Sequence, residues 1–184
     1  MSPAKQSNNA RPTCKLVAVS LAAVASAICP LITLSPKLLL WNASASVPVG
    51  LYIVLPNAKL HVGDLAVTDL PPDIRSLAAQ RQYLPPGVLL IKPVSALSGA
   101  DVCRRNADID VNGRWTATAK ITDRKHRPMP VWSGCRHLSP QDVFLMNPEV
   151  HDSFDGRYFG PITLRFVRGR AFPLLTFGPR KQPS

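Results

Sequence analysis

Residues 16–34 read LVAVSLAAVASAICPLITL, nineteen positions without a charge. A helix of about that length crosses a bilayer core, and this constrains where everything after it can fold. Lys5, Arg11 and Lys15 precede the run, and only Lys37 follows closely. That bias predicts a cytoplasmic N-terminus, with the chain beyond Leu40 outside. Pro30 is expected to kink the helix near its outer end. A cleaved signal peptide is the competing reading, because Ala25-Ser26-Ala27 and Ala43-Ser44-Ala45 both have the small-x-small form of a cleavage site. The second cut would make Ser46 the new N-terminus. The run continues past Ala27 to Leu34, long for a signal-peptide core, so a retained anchor is preferred. Either way the folded part lies outside the cytoplasm.

The 184 residues suffice for one domain plus an anchor. With 19 prolines and 7% aromatic residues, short strands joined by turns are favoured over a helical bundle. Strands are predicted at Gly50 to Leu55, Leu65 to Thr68, Val88 to Val94, Asp108 to Val111, Asp142 to Met146 and Ile162 to Val167. One short helix is predicted between Pro72 and Tyr83, with Asp69 as its cap and Pro85-Pro86 ending it. His61-Val62-Gly63-Asp64 and Asn112-Gly113 are turn signals, the second a favoured hairpin turn. The expected fold is mainly β: an antiparallel barrel or folded sheet with one short helix. The expected order is a basic N-terminus (1–15), an anchor (16–40), an extracytoplasmic domain (41–178) and a flexible tail (179–184).

The net charge of +11 raises nucleic acid as a partner. The basic residues are scattered, however, and no nucleic-acid motif or aromatic-interleaved stripe accompanies them, so nucleic acid is not the expected partner. A basic surface against an anionic membrane accounts for them equally well. Cys14 and Cys29 fall at or in the apolar run. Cys103 and Cys135 fall in the domain, where an oxidising compartment would pair them; two buried free thiols are the alternative. A bridge would close a loop of about 30 residues and stabilise by roughly 3–4 kcal/mol on the loop-entropy account.

The stretch from Asn42 to Tyr52, NASASVPVGLY, carries the chemistry. Pro48 and Gly50 place Ser46 at a turn leading into a strand, where a nucleophile would be presented. A serine needs a base. None of His61, His126, His137 and His151 has metal-ligand spacing to another, and no metal or cofactor is expected. Triads are assembled by folding, and His151 beside Asp152 is their best candidate. Lys92 is the anomaly, a lysine inside the apolar run Gly87-Val88-Leu89-Leu90-Ile91-Lys92-Pro93-Val94. Alternation puts it on the face of Val88, Leu90 and Val94. Burial would lower its pKa and make it a base near neutral pH. On an edge strand its head would instead snorkel to water, and the residues alone leave both readings open.

Three segments together resemble the type I signal (leader) peptidases. Ser44 to Tyr52 is similar to their nucleophile box, Leu89 to Gly99 to their lysine box, and Asp152 to Pro161 to their third box, in that order and after a single anchor. The forms SVPVGLY and DSFDGRYFGP resemble the conjugative-transfer branch, the TraF-like pilin-processing peptidases, as does Gly134-Cys135-Arg136 before Val143 to Asn147. The resemblance implies Ser46 as nucleophile and Lys92 as base. It implies an oxyanion hole from the Ser46 N–H and the Ser44 hydroxyl, and Ser153 orienting Lys92. Asp155 and Arg157 would pair to support the site. An acidic residue of this box is implicated in activity in the branch; Asp155 is the better match and Asp152 the other. Cys103 becomes the partner of Cys135. Val47 stands where general signal peptidases have Met, and Ser98-Gly99-Ala100-Asp101 replaces their Pro-Gly-Asp.

The implied protein is a single-pass bacterial inner-membrane serine endopeptidase with a periplasmic catalytic domain. It would process an exported precursor, such as the propilin of a conjugative system, by hydrolysis or by cyclisation through an acyl-enzyme. A general signal peptidase is one alternative, and a non-catalytic membrane-anchored subunit of a conjugation or secretion apparatus is another.

Overall fold

The computed structural model describes residues 39–177. The predicted tail, and the predicted anchor apart from its last two residues, fall outside them. Leu39 and Leu40 themselves lie in a strand, paired with Ile53 and Tyr52. Among the described residues no helix is long and apolar enough to cross a membrane.

In chain order the elements are β1 (Leu39–Asn42), β2 (Val49–Leu55), β3 (Leu65–Thr68), α1 (Pro72–Gln80), β4 (Leu90–Ala96), β5 (Asp101–Arg105), β6 (Asp108–Val111) and β7 (Arg114–Thr118). There follow β8 (Gly134–His137), β9 (Asp142–Leu145), the single-turn α2 (Gly156–Phe159), β10 (Ile162–Thr163), a 3₁₀ turn (Leu164–Phe166) and β11 (Val167–Phe177). β2 shows the expected period of two: Gly50, Tyr52 and Val54 point inward and are buried. Asn112 and Gly113 both have positive φ and close the β6–β7 hairpin as predicted.

Among the described residues all pairings between strands are antiparallel. Seven strands run β1-β2-β11-β3-β4-β9-β10, and four run β7-β6-β5-β8. The larger sheet ends on β1 and β10 and is open, so the barrel alternative is corrected to two open sheets. Closure is replaced by packing: Ala96 and Phe144 of the first sheet meet Val102, Ile109 and Ala117 of the second in one core, with Trp132 and Leu138. β10 is two residues long, which blunts that edge. Two further corrections concern local elements. The predicted strand from Ile162 to Val167 is β10, a 3₁₀ turn and the start of β11. Asp69 does not cap α1; Pro71 occupies that position, and Asp69 instead accepts from the Leu70 N–H and pairs with Arg75.

Gly50 explains itself by close approach. Its φ is +148°, and a Cβ there would lie 2.1 Å from the Leu175 carbonyl oxygen of β11. It was read as part of the turn presenting the serines, but the turn spans Ser44–Val47 and Gly50 already belongs to β2. Its task is to let β11 come close. Cys103 and Cys135 sit directly opposite on β5 and β8 and are joined by an S–S bond of 2.06 Å.

Candidate active site

Ser46 lies in the turn between β1 and β2, and a set of hydrogen bonds shapes that turn. Buried Asn42, at the end of β1, directs its amide nitrogen to the carbonyls of Ser44 (2.8 Å), Val47 (3.1 Å) and Pro48 (3.1 Å). Its Oδ1 accepts from the Ser44 N–H and hydroxyl, at 3.1 and 3.0 Å. The Tyr52 hydroxyl donates to the Pro48 carbonyl at 2.6 Å. From across the fold, Asn147 Nδ2 donates to the Ser46 carbonyl at 2.6 Å. Among the described residues the Ser46 N–H donates to nothing.

Lys92 reaches this turn from β4. That strand lies between β3 and β9, so Lys92 is not on an edge and its head does not snorkel. It is 1% exposed, with Leu90, Ile91 and Val94 buried along the same strand. Its Nζ stands 2.6 Å from Ser46 Oγ and 2.8 Å from Ser153 Oγ, and the two hydroxyls are 3.5 Å apart. Burial lowers its pKa from an ordinary 10.5 to about 8; the Asp155 carboxylate raises it and the Arg157 guanidinium lowers it. At pH 7 roughly a tenth of the amines are neutral.

Behind the lysine, Asp155 and Arg157 form a fully buried pair. Asp155 Oδ1 accepts from Arg157 Nε at 2.8 Å, and Oδ2 from its terminal nitrogen at 3.0 Å. Asp155 also caps α2 through the Arg157 N–H, and accepts from the Asn147 N–H at 3.1 Å. Arg157 in turn donates to the Asn147 carbonyl. The pair therefore holds Asn147 at both backbone groups, and Asn147 holds the Ser46 carbonyl. Arg104 of β5 donates to the Arg157 carbonyl at 2.7 Å, and Trp132 to that of Gly156 at 3.0 Å, which ties α2 to the second sheet.

Asp152 sits elsewhere: it is exposed and pairs with Lys120 and, at 2.8 Å, with Arg124. His151 is exposed, its carbonyl faces Arg157 at 3.5 Å, and among the described residues no histidine hydrogen-bonds to Ser46. Folding therefore brings together Ser44, Ser46, Lys92 and Ser153, backed by Asp155 and Arg157, and leaves Asp152 at the rim. Asn42 and Asn147 were missed by sequence reasoning. Asn42 opens the serine stretch, and an asparagine just before a turn was the available signal; Asn147 carries no local signal. A cavity of about 430 Å³ opens on Ser46 and Lys92, lined also by Leu90, Phe154 and Tyr158 and by a series of basic side chains.

This arrangement can take a proton from a hydroxyl without a metal or imidazole. The profile of the family "Signal peptidase, peptidase S26" matches residues 13–175. A probable conjugal transfer protein TraF from Sinorhizobium fredii is 33% identical over 149 residues, covering 75% of this chain and 77% of its own length. A plasmid transfer protein TraF from Escherichia coli is 32% identical over 147 residues, covering 74% and 82%. A solved signal peptidase I from Enterococcus faecalis is 16% identical, with a TM-score of 0.35, over 61% of this chain and 97% of that one. With the family profile spanning all but the chain's ends, this protein belongs to the signal peptidase family, peptidase S26.

Proposed function

We propose that the protein is a membrane-anchored serine endopeptidase that uses a Ser46–Lys92 dyad to process an exported precursor in conjugal transfer, the propilin being the favoured substrate. One observation carries the mechanism: the buried Lys92 Nζ lies 2.6 Å from Ser46 Oγ, with its pKa drawn down to about 8 by burial. The names of the two relatives support the setting.

In the neutral state Lys92 Nζ accepts the hydroxyl proton of Ser46 as Oγ attacks the scissile carbonyl carbon. The resulting ammonium donates that proton to the leaving amine as the C–N bond breaks, leaving an ester on Ser46. Ser153 holds Nζ on the line between the two positions. The Ser46 N–H faces the developing oxyanion. The Ser44 hydroxyl joins it by releasing Asn42 Oδ1, which keeps the Ser44 N–H. Losing one such donor typically costs about 10²–10³ in rate. Water, or the substrate's own N-terminal amine, then attacks the ester; the second route closes a ring.

The anchor reading places the catalytic domain on the periplasmic side of the inner membrane. The apolar residues exposed beside the start of the described chain suit a lipid surface: Leu39, Trp41 and Phe177 are all more than half exposed, with the Trp41 and Phe177 rings 6.4 Å apart. A topology reporter fused after Ser184 should read periplasmic. The decisive test is processing in cells. Ser46→Ala and Lys92→Ala should each accumulate uncleaved precursor while the protein stays folded. Normal processing in the Lys92→Ala strain would overturn the dyad and favour a non-catalytic subunit.

A further inference from the structure

We propose that the basic loop after β7, together with Arg81, forms a carboxylate-recognising subsite beside Ser46. The substrate would then carry an acidic side chain or a chain-terminal carboxylate near the scissile bond. The inference rests on the serine–lysine reading and adds a substrate class to it.

The sequence run Arg124-Lys125-His126-Arg127 had no assigned task. In the fold its Arg124, Lys125 and Arg127 line the same cavity as Ser46 and Lys92. Besides Lys92, the cavity presents five cations, Arg81, Lys120, Arg124, Lys125 and Arg127, against two carboxylates. The carboxylates are both engaged. Asp123 organises the loop: it accepts from the N–H groups of Lys125 (2.8 Å) and Arg127 (2.9 Å), from Arg127 Nε (2.7 Å) and from the Tyr83 hydroxyl (2.6 Å). Burial alone would raise its pKa, but the hydrogen bonds from Tyr83 and Arg127 together hold the carboxyl well below its usual range. Asp152 bridges Lys120 and Arg124, and hydrogen bonds from those two bring it to about 2.

Arg81 and Lys125 have no carboxylate partner among the described residues. Arg81 donates to the Pro128 carbonyl, and Lys125 Nζ lies 3.4 Å from Gln82 Oε1. The loop is built rather than loose: Thr122 and Pro128 pair across its base, and the Arg127 guanidinium lies 5.6 Å from the Tyr83 ring centre. A concave site with excess charge of one sign concentrates the opposite charge. Arginine offers a planar fork that matches a carboxylate. A solvated basic surface would have no reason to converge on the nucleophile's cavity.

The test uses the full-length protein in detergent and short internally quenched peptides with alanines around the scissile bond. A single Glu, Gln or Lys is walked along the peptide, each version with a free or an amidated C-terminus. The expected result is a kcat/KM roughly tenfold higher for a Glu or free-acid peptide than for its neutral twin at one position, mostly through KM. Dependence on Glu identifies a side-chain carboxylate; dependence on the free terminus identifies the chain end. The pair Arg124→Glu with Lys125→Glu should bring that ratio to parity or below. Arg124→Gln with Lys125→Gln should reduce it, and serves if the charge reversal does not fold. Ser46-dependent cleavage with equal rates for Glu, Gln and Lys would overturn the subsite and leave the dyad standing. A charge reversal that lowers binding to phosphatidylglycerol vesicles but keeps the Glu preference would overturn it too, and make the loop a membrane contact. Absence of any Ser46-dependent cleavage would remove the peptidase reading and the subsite with it.

Discussion

Asp155 and Asp152 stand three residues apart in one motif, and each pairs with basic side chains, yet their surroundings are opposite. Asp155 and Arg157 are fully buried, and every oxygen of the carboxylate is used. Asp152 is 45% exposed at the side chain, and its partners Lys120 and Arg124 are more exposed still. A buried pair is costly to break because one uncompensated charge is left behind; an exposed pair exchanges its partner for water at little loss. The first arrangement holds a site rigid. The second leaves cations available to something else.

The largest expected effect follows from breaking the buried pair. Asp155→Asn leaves Arg157 unpaired and should cost about 3–5 kcal/mol, measured by denaturant unfolding. It also removes the charge that raises the Lys92 pKa, so the pH profile of any residual activity should shift to lower pH. A loss as small as that of a surface substitution would break the comparison.

Next comes Lys92 itself. In the wild type, kcat/KM should climb with pH through about 8 and level off above it, because the neutral amine is the proposed base. A profile governed by a group near pH 6.5 would point to a histidine instead. The stability sign is also determined. The folded-state pKa lies below the unfolded one, so the unfolded chain binds more protons between about pH 8 and 10.5. Stability should therefore rise with pH across that window and be lowest below it. Holding the ammonium buried below pH 8 costs about 3 kcal/mol. Lys92→Met should abolish cleavage yet raise stability at pH 7 by on the order of 1–2 kcal/mol, after the two lost serine contacts. That gain should shrink as pH rises toward 10.5. Thermal melts across pH check it.

Asn147→Ala tests the connection between the pair and Ser46. It should cost about 1 kcal/mol of stability and roughly tenfold in kcat with KM little changed, since it removes the grip on the Ser46 carbonyl along with an acceptor for the Glu149 N–H. A change in KM alone would mean that Asn147 touches substrate instead. The smallest effect on stability is expected for Asp152→Asn, a change in melting midpoint near the resolution of the measurement. In the peptide assay the same substitution should strengthen the preference for Glu, because Lys120 and Arg124 lose their internal competitor.

The elements legible in the sequence were those whose own residues carry the pattern. The period of two in β2, the turn at Asn112-Gly113 and the helix after Pro71 were all within reach of local rules. β1, β5, β7, β8 and, beyond its first residue, β11 were not predicted. β8 reads GCRH and is exposed throughout, and β5 ends on two arginines. β11 contains Gly169 and Pro173, and its ladder shifts register around the proline. Such strands exist because their neighbours offer hydrogen bonds, not because of their own side chains. In the site, Ser46, Lys92 and Ser153 were legible as motif residues, and Lys92 also as a chemical misfit in an apolar run.

From the sequence alone came the participants: a serine at a turn, a lysine where apolar residues belong, an acid–arginine motif and two cysteines. Only the tertiary structure decided that β4 is an interior strand, so that the lysine is dry and its pKa falls toward neutrality. Only it separated Asp155 from Asp152, put Asn147 on the Ser46 carbonyl and turned Arg124, Lys125 and Arg127 of an unassigned basic run toward the cavity that opens on Ser46 and Lys92. The reason is physical: the identity of a group is local, but its desolvation depends on the whole fold, and the hydrogen bonds of this site join residues 46 to 107 positions apart.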